Sequence, residues 1–227
     1  MPSINTGLMT QYAKQRFQGM TLPAGTDRNR YVTYIGGICG AIGNAWRTWQ
    51  TQASLTGVVV QAVTATGGKL VGPALGPRIL SQAPPGWEPY SRAIAIGIQN
   101  QLMSFCDNVR VPGLPWYPAF AAFPGPMAPP TPNVPTPLAA IGTAGAHYLK
   151  ENGIATAIIN KYSKAKPACG DEVAKAIANG VEQASLIWLV GTMVTGVMGA
   201  GDIPTYAPPY VPVGPVVRGV ATGGMLV

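Results

Sequence analysis

Charge is what this chain of 227 residues has least of. Only 10% of its residues are Asp, Glu, Lys or Arg, while 47% are hydrophobic; a typical soluble domain has about 25% charged residues. Three long intervals, residues 48–68, 111–148 (with His147 neutral) and 183–201, contain no charged side chain. A monomer needs a charged, patch-free surface to stay soluble. We therefore expect other subunits to cover part of this surface.

Residues that usually carry catalysis are also scarce. The single histidine, His147, has no Asp, Glu or Cys close to it in sequence, and the eight acidic residues are dispersed. A Ser/His/Asp or Cys/His arrangement would have to use His147, which we interpret as a surface or packing residue. Phosphate-loop and HExxH motifs are absent, and Lys69 in TATGGKL is followed by Leu. The sequence predicts a non-enzymatic protein with no catalytic, cofactor-binding or metal-binding residues.

The three cysteines, Cys39, Cys106 and Cys169, form neither a CxxC motif nor a Cys/His cluster, so no zinc site is expected. An odd number of cysteines without a signal peptide fits reduced thiols in a cytosol. We interpret the three residues as small buried hydrophobic side chains. Disulfides between subunits are the open alternative.

Proline and glycine are present in excess, at 23 and 29 residues. They concentrate in three uncharged or nearly uncharged segments, centred on Gly72–Pro73, on Pro112–Pro137 and on Pro204–Pro215, and each follows a stretch with a helical pattern. Proline lacks an N–H donor and fixes φ, so a proline-rich segment forms neither a helix nor an interior strand. We predict that these segments are extended arms.

Apolar residues spaced three and four apart predict three long helices. These cover Arg28–Ala53, Glu88–Val109, and a stretch from about Asp171 to Met198. Shorter helices are expected within residues 138–153 and 154–166, and the β-branched run Leu55–Ala65 leaves room for a short strand or hairpin.

The predicted fold is therefore mainly α, with a small core of about three long helices. Residues 1–26 are expected to form an N-terminal arm with a short helical turn near Thr10–Phe17. Residues 27–201 would form the helical core, interrupted by the Pro-rich arm at 112–137. Residues 202–227 would form an extended C-terminal arm, whose deletion should leave a folded core that fails to assemble.

Extended, uncharged arms that carry aromatic residues are expected to dock onto neighbouring subunits, because aromatic side chains dominate interface energetics. The residues predicted to anchor such contacts are Trp87, Trp116, Tyr117, Phe120, Phe123, Tyr206 and Tyr210.

Two other classes of partner stay open. The uncharged run Ala184–Gly201 is 18 residues long, which is the lower limit for crossing a bilayer. A membrane-active pore or genome-delivery protein is therefore the alternative function. The net charge of +7 is compatible with a nucleic-acid partner, but the basic residues are scattered and do not indicate one.

Two segments, WYPAFAAFPGPMAPPTPNVPTPL from Trp116 and TYAPPYVPVGPVVRGVATGG from Thr205, resemble structural proteins encoded with the virion genes of tailed bacteriophages and phage-tail-like particles. The resemblance implies a virion component that is assembled in the host cytoplasm, as a homo-oligomer in contact with other virion subunits. It does not distinguish a tail, neck, baseplate or capsid-associated position. It implies no catalytic residues.

Overall fold

A computed structural model of the chain describes residues 3–162, 167–205 and 215–227. In these ranges the chain forms seven α-helices and nine strands, with 50% of residues in helices and 20% in strands. All nine strands belong to one antiparallel sheet. The prediction of a mainly α fold is therefore wrong. The sheet was missed because several of its strands lie in segments that their prolines and glycines marked as arms.

The helices, in chain order, are Thr6–Gln18 (α1), Arg28–Gln52 (α2), Gly76–Leu80 (α3), Glu88–Asp107 (α4), Leu138–Ile141 (α5), Glu151–Ile159 (α6) and Gly170–Gly191 (α7). The strands are Ser54–Gln61 (β1), Thr64–Val71 (β2), Val111–Leu114 (β3), Met127–Pro132 (β4), Thr136–Pro137 (β5), Met193–Thr195 (β6), Met198–Asp202 (β7), Arg218–Thr222 (β8) and Gly224–Leu226 (β9). Short 3₁₀ turns cover Pro118–Ala121 and Ala146–Leu149.

The three long helices expected from the sequence are present as α2, α4 and α7, although α7 ends at Gly191 rather than near Met198. The first helix, α1, lies in the segment that was expected to be an N-terminal arm. It packs on α7 and buries Met9 and Phe17 completely. The approach is close, because a Cβ on Gly180 would lie 2.4 Å from the Met9 carbonyl oxygen. The N-terminal segment is therefore part of the helical layer.

The nine strands combine into six longer ones. Strands β8 and β9 pair with β1 in one continuous register, and β7 and β6 pair with β8 and β9 in another. On the far side, β4 pairs with β7 and β5 with β6. The order across the sheet is thus β3, β2, β1, β8–β9, β7–β6 and β4–β5. Strands β8 and β9, which belong to the segment expected to form an extended C-terminal arm, lie in the middle of the sheet.

A line of glycines interrupts these long strands. Gly57, Gly67, Gly196 and Gly223 have φ angles of 71°, 75°, 69° and 38°, and each follows a threonine. On neighbouring strands they lie within one residue of the same level. We call this line the glycine crease. A left-handed residue is strongly favoured to be glycine, and these glycines interrupt the regular pleat at the same level of neighbouring strands without changing the register.

The crease explains an irregular burial pattern. In a regular strand, buried side chains are separated by an even number of residues. Here the buried residues step by three across the crease, from Leu55 to Val58 in β1 and from Val194 to Val197 between β6 and β7. The left-handed residue in each strand shifts the alternation by one, so that the apolar side chains on both sides of the crease lie on the same inner face.

The Pro-rich segment 112–137 joins the two edges of the sheet. It begins in edge strand β3, crosses the inner face, and returns as edge strands β4 and β5. Tyr117 N–H donates to the Val63 carbonyl (3.1 Å), Val134 N–H to the Trp116 carbonyl (2.9 Å), and Val216 N–H to the Phe120 carbonyl (3.2 Å). Proline is accepted at a sheet edge because the N–H there has no neighbouring strand to bond.

Candidate functional site

The predicted interface anchors lie mostly inside the chain's own core. Trp116, Tyr117 and Phe120 are 1%, 1% and 0% exposed, and Phe123 and Trp87 are partly buried against the same core. Tyr206 and Tyr210 lie outside the described residues. The side chains at 116, 117 and 120 therefore fix the Pro-rich segment to the sheet, and they present no surface to a neighbouring subunit in this conformation.

Two local arrangements hold these aromatic residues in place. The Tyr117 hydroxyl donates to the Val197 carbonyl at 2.9 Å, and its ring stacks on Phe120 with centroids 5.1 Å apart. Gly199 leaves room for this ring, because a Cβ there would lie 2.6 Å from it. Elsewhere, Trp87 stacks on Tyr34 at 4.4 Å, and the Arg30 guanidinium lies 5.1 Å from the centre of the indole.

The solvent side of the sheet carries a surface with an uncharged central row that the sequence prediction missed. Its side chains alternate with the buried ones, and the register brings Thr66, Val59, Val220 and Ala200 into one row across four strands. We define the outer sheet face by Val59, Thr66, Val71, Ala200, Val220 and Met225. Val220 is 68% exposed. The abundance of Thr and Val along residues 54–71 was the available sequence signal.

A second apolar surface lies on the C-terminal half of α7. Leu186, Ile187 and Val190 are spaced along one side of the helix and are exposed, Val190 to 68%. We call them the α7 stripe. The apolar run that suggested a membrane segment is divided between this helix end and strands β6 and β7. Among the described residues, no helix combines the length and hydropathy that crossing a bilayer requires.

A cleft of about 420 Å³ opens between α2, α4 and the end of β2. Trp49, Leu102 and Met103 form much of its apolar lining, and Lys69 and Asp107 contribute charged groups. The Gln99 side-chain carbonyl is already engaged by the Gly76 N–H at 2.8 Å. Burial raises the pKa of the Cys106 thiol to about 12, so this thiol stays protonated and is a poor nucleophile at neutral pH. The lining favours binding of an apolar group over proton transfer or nucleophilic attack.

The two ion pairs of the described residues connect helices to one another. Arg16 on α1 binds Glu151 at 2.9 Å, and Asn179 on α7 donates to the second Glu151 oxygen at 2.9 Å. Glu182 accepts from the Glu151 N–H at 2.7 Å and pairs with Lys150 at 3.1 Å. These contacts connect α1, α6 and α7 and satisfy an N–H group at the start of α6.

The remaining candidates for chemistry are separated from one another. His147 is exposed, and its Nδ1 lies 3.0 Å from the Ala144 carbonyl oxygen. All three cysteines are buried as free thiols, and burial also raises the pKa of Cys39 to about 12. In the part of the chain that the structure describes, no three His, Cys, Asp or Glu residues come together as a metal site.

Comparisons with protein-family models, with curated proteins and with solved structures found no match to this chain.

Proposed function

We propose that this chain is a non-enzymatic structural subunit of a larger symmetric assembly. The observation that carries the proposal is the exposure of large apolar side chains on two surfaces, the outer sheet face and the α7 stripe. Exposed apolar surface of this kind marks sites of association in soluble proteins. Burial contributes about 25 cal/mol per Å² of apolar area removed from water.

The proposed partners are further copies of the chain and other subunits of the same particle. The resemblance of the segments starting at Trp116 and Thr205 to phage structural proteins supports a virion component of a tailed bacteriophage, assembled in the host cytoplasm. Assembly and virion membership are separate parts of the proposal. The apolar surfaces support the first part, and the resemblance alone supports the second.

The assembly is tested by the mass of the purified chain in solution. Light scattering coupled to size exclusion should give a mass well above the 23.5 kDa of one chain. Association through apolar surfaces should persist in molar salt, because salt screens charge–charge attraction and leaves apolar burial intact. A monomer at high micromolar concentration in both low and high salt would overturn the proposal.

Virion membership has its own test. In an infected or induced host lysate, an antibody against the chain should label particles in electron micrographs. If the chain is found only in fractions free of particles, the virion part of the proposal is wrong, whatever the mass of the purified protein.

A further inference from the structure

We propose that two copies of the chain pack their outer sheet faces against each other about a two-fold axis, with Val220 near the centre of the contact. This inference rests on the proposed function, because it names the surface and the partner through which the subunit first associates.

The composition of the outer sheet face is the first observation. An antiparallel sheet with one face on the core normally presents polar residues on its other face. Here the central row holds Thr66, Val59, Val220 and Ala200. Val71 and Met225 are also exposed. The helix contacts with the sheet include those of α2 with β9 and of α4 with β2; Thr66, Val71, Val220 and Met225 remain exposed, and Val59 and Ala200 are half-buried.

Proline in the two outermost strands opposes the commonest alternative, in which a partner adds a strand to an edge. One edge strand, β3, contains Pro112, and the opposite edge strand, β4, contains Pro129, Pro130 and Pro132. Proline at an edge removes the N–H groups that an added strand would bond. We therefore place the partner on the face of the sheet and not on these two edge strands.

The size of the face suits a dimer contact. Six strands spaced about 4.8 Å apart, with a central strand of about 26 Å, give a face of roughly 600 Å². Two such faces bury about 1,200 Å² in total, which exceeds the ~1,000 Å² expected of a specific interface. The aligned packing of two sheets is a common solution for such faces.

The charge distribution favours a second copy as the occupant. The central row of the face is uncharged; the charged residues that share the face are Lys69, which lies opposite Thr56, and Arg218, which lies directly opposite Asp202 on the neighbouring strand. In a two-fold contact the same face occupies both sides, so the uncharged central row meets its own copy without charge repulsion. A nucleic-acid partner would need a cluster of Lys and Arg to neutralise phosphates, and this face has none.

The first experiment places a charge at the centre of the face in the full-length chain. Val220→Lys should shift the mass measured by light scattering towards that of a smaller species, because a buried lysine has no partner there. Leu80→Lys is the matched control, since Leu80 is also an exposed apolar residue but lies on α3. An unchanged circular dichroism spectrum shows that the fold is retained. Equal masses for both variants and the wild type would overturn the inference.

The second experiment locates the contact by crosslinking. The native cysteines are buried, so a new surface thiol is the one that a short bis-maleimide reaches. Val220→Cys should crosslink to its counterpart, because residues near a two-fold axis meet their own copies. Val190→Cys on the α7 stripe should crosslink weakly. Efficient crosslinking at 190 and none at 220 would overturn this inference and leave the proposed assembly intact. If light scattering shows that the wild-type chain is a monomer, both this inference and the proposed assembly are wrong.

Discussion

Gly57 is the residue at which the glycine crease can be tested most directly. Its φ of 71° is a left-handed conformation, and nothing lies within 4 Å of the position that an alanine Cβ would occupy. The substitution Gly57→Ala therefore introduces backbone strain without steric crowding. Strain of this kind costs about 1–2 kcal/mol. Part of it is offset by about 0.4–1 kcal/mol, because alanine restricts the unfolded chain.

The expected net loss in the free energy of unfolding is about 1 kcal/mol, or roughly 2–4 °C in Tm for a chain of this length. Gly40 in α2 is the matched control. It also has nothing within 4 Å of an added Cβ, but its backbone is helical. Gly40→Ala should raise the free energy of unfolding by about 0.5–1 kcal/mol. Both substitutions replace glycine by alanine, but their effects on the free energy of unfolding should have opposite signs.

Urea unfolding followed by far-ultraviolet circular dichroism measures both effects, provided that the m-value stays constant. A third variant separates strain from other causes. Asparagine enters the left-handed region more readily than alanine, so Gly57→Asn should lose less stability than Gly57→Ala. If Gly57→Ala is as stable as the wild type, or if asparagine is the more damaging residue, the crease does not depend on left-handed backbone at this position.

Four further outcomes are expected. Trp116→Ala should lower the free energy of unfolding by about 3–5 kcal/mol, as for a large core residue; a mutant that is stable but fails to assemble would instead support a docking arm. Deletion of residues 202–227 removes β8 and β9 from the middle of the sheet, so the truncated chain should lack a cooperative unfolding transition. The thiols Cys39 and Cys106 are kept protonated by burial, so their contribution to stability should be complete below about pH 8.5, where thiols of the unfolded chain begin to ionise. That contribution should fall as the pH rises from there towards about 12, which urea midpoints at neutral and alkaline pH would reveal; an unchanged midpoint would contradict it. Glu151→Gln should cost at most about 1 kcal/mol, and the difference from the wild type should shrink in high salt; a cost that is independent of salt would indicate that the lost hydrogen-bond geometry matters more than charge.

The Pro-rich segment shows how one physical property can support two different structures. Proline excludes a residue from helices and from interior strands, and both a free arm and a sheet edge satisfy that exclusion. The choice between them depends on whether Trp116, Tyr117 and Phe120 find a surface within the chain. They find one on the inner face of the sheet, where Gly199 in β7 makes room for the Tyr117 ring.

The long helices α2, α4 and α7 were predictable, because their apolar stripes are local patterns with a period of 3.6 residues. The sheet was harder to predict, because each glycine in the crease breaks the alternation of period two. The threonine–glycine pairs at 56–57, 66–67, 195–196 and 222–223 were a usable signal. Their meaning appears only when the strands are placed side by side.

The sequence alone determined that this chain has little charge, few groups capable of catalysis, and a high proportion of hydrophobic residues. These properties follow from composition, which does not depend on how the chain folds. The tertiary structure decided which apolar residues are buried in the core and which remain exposed to solvent. Trp116 is buried and Val220 is exposed, because cross-strand register, a non-local property, sets the face on which each side chain lies.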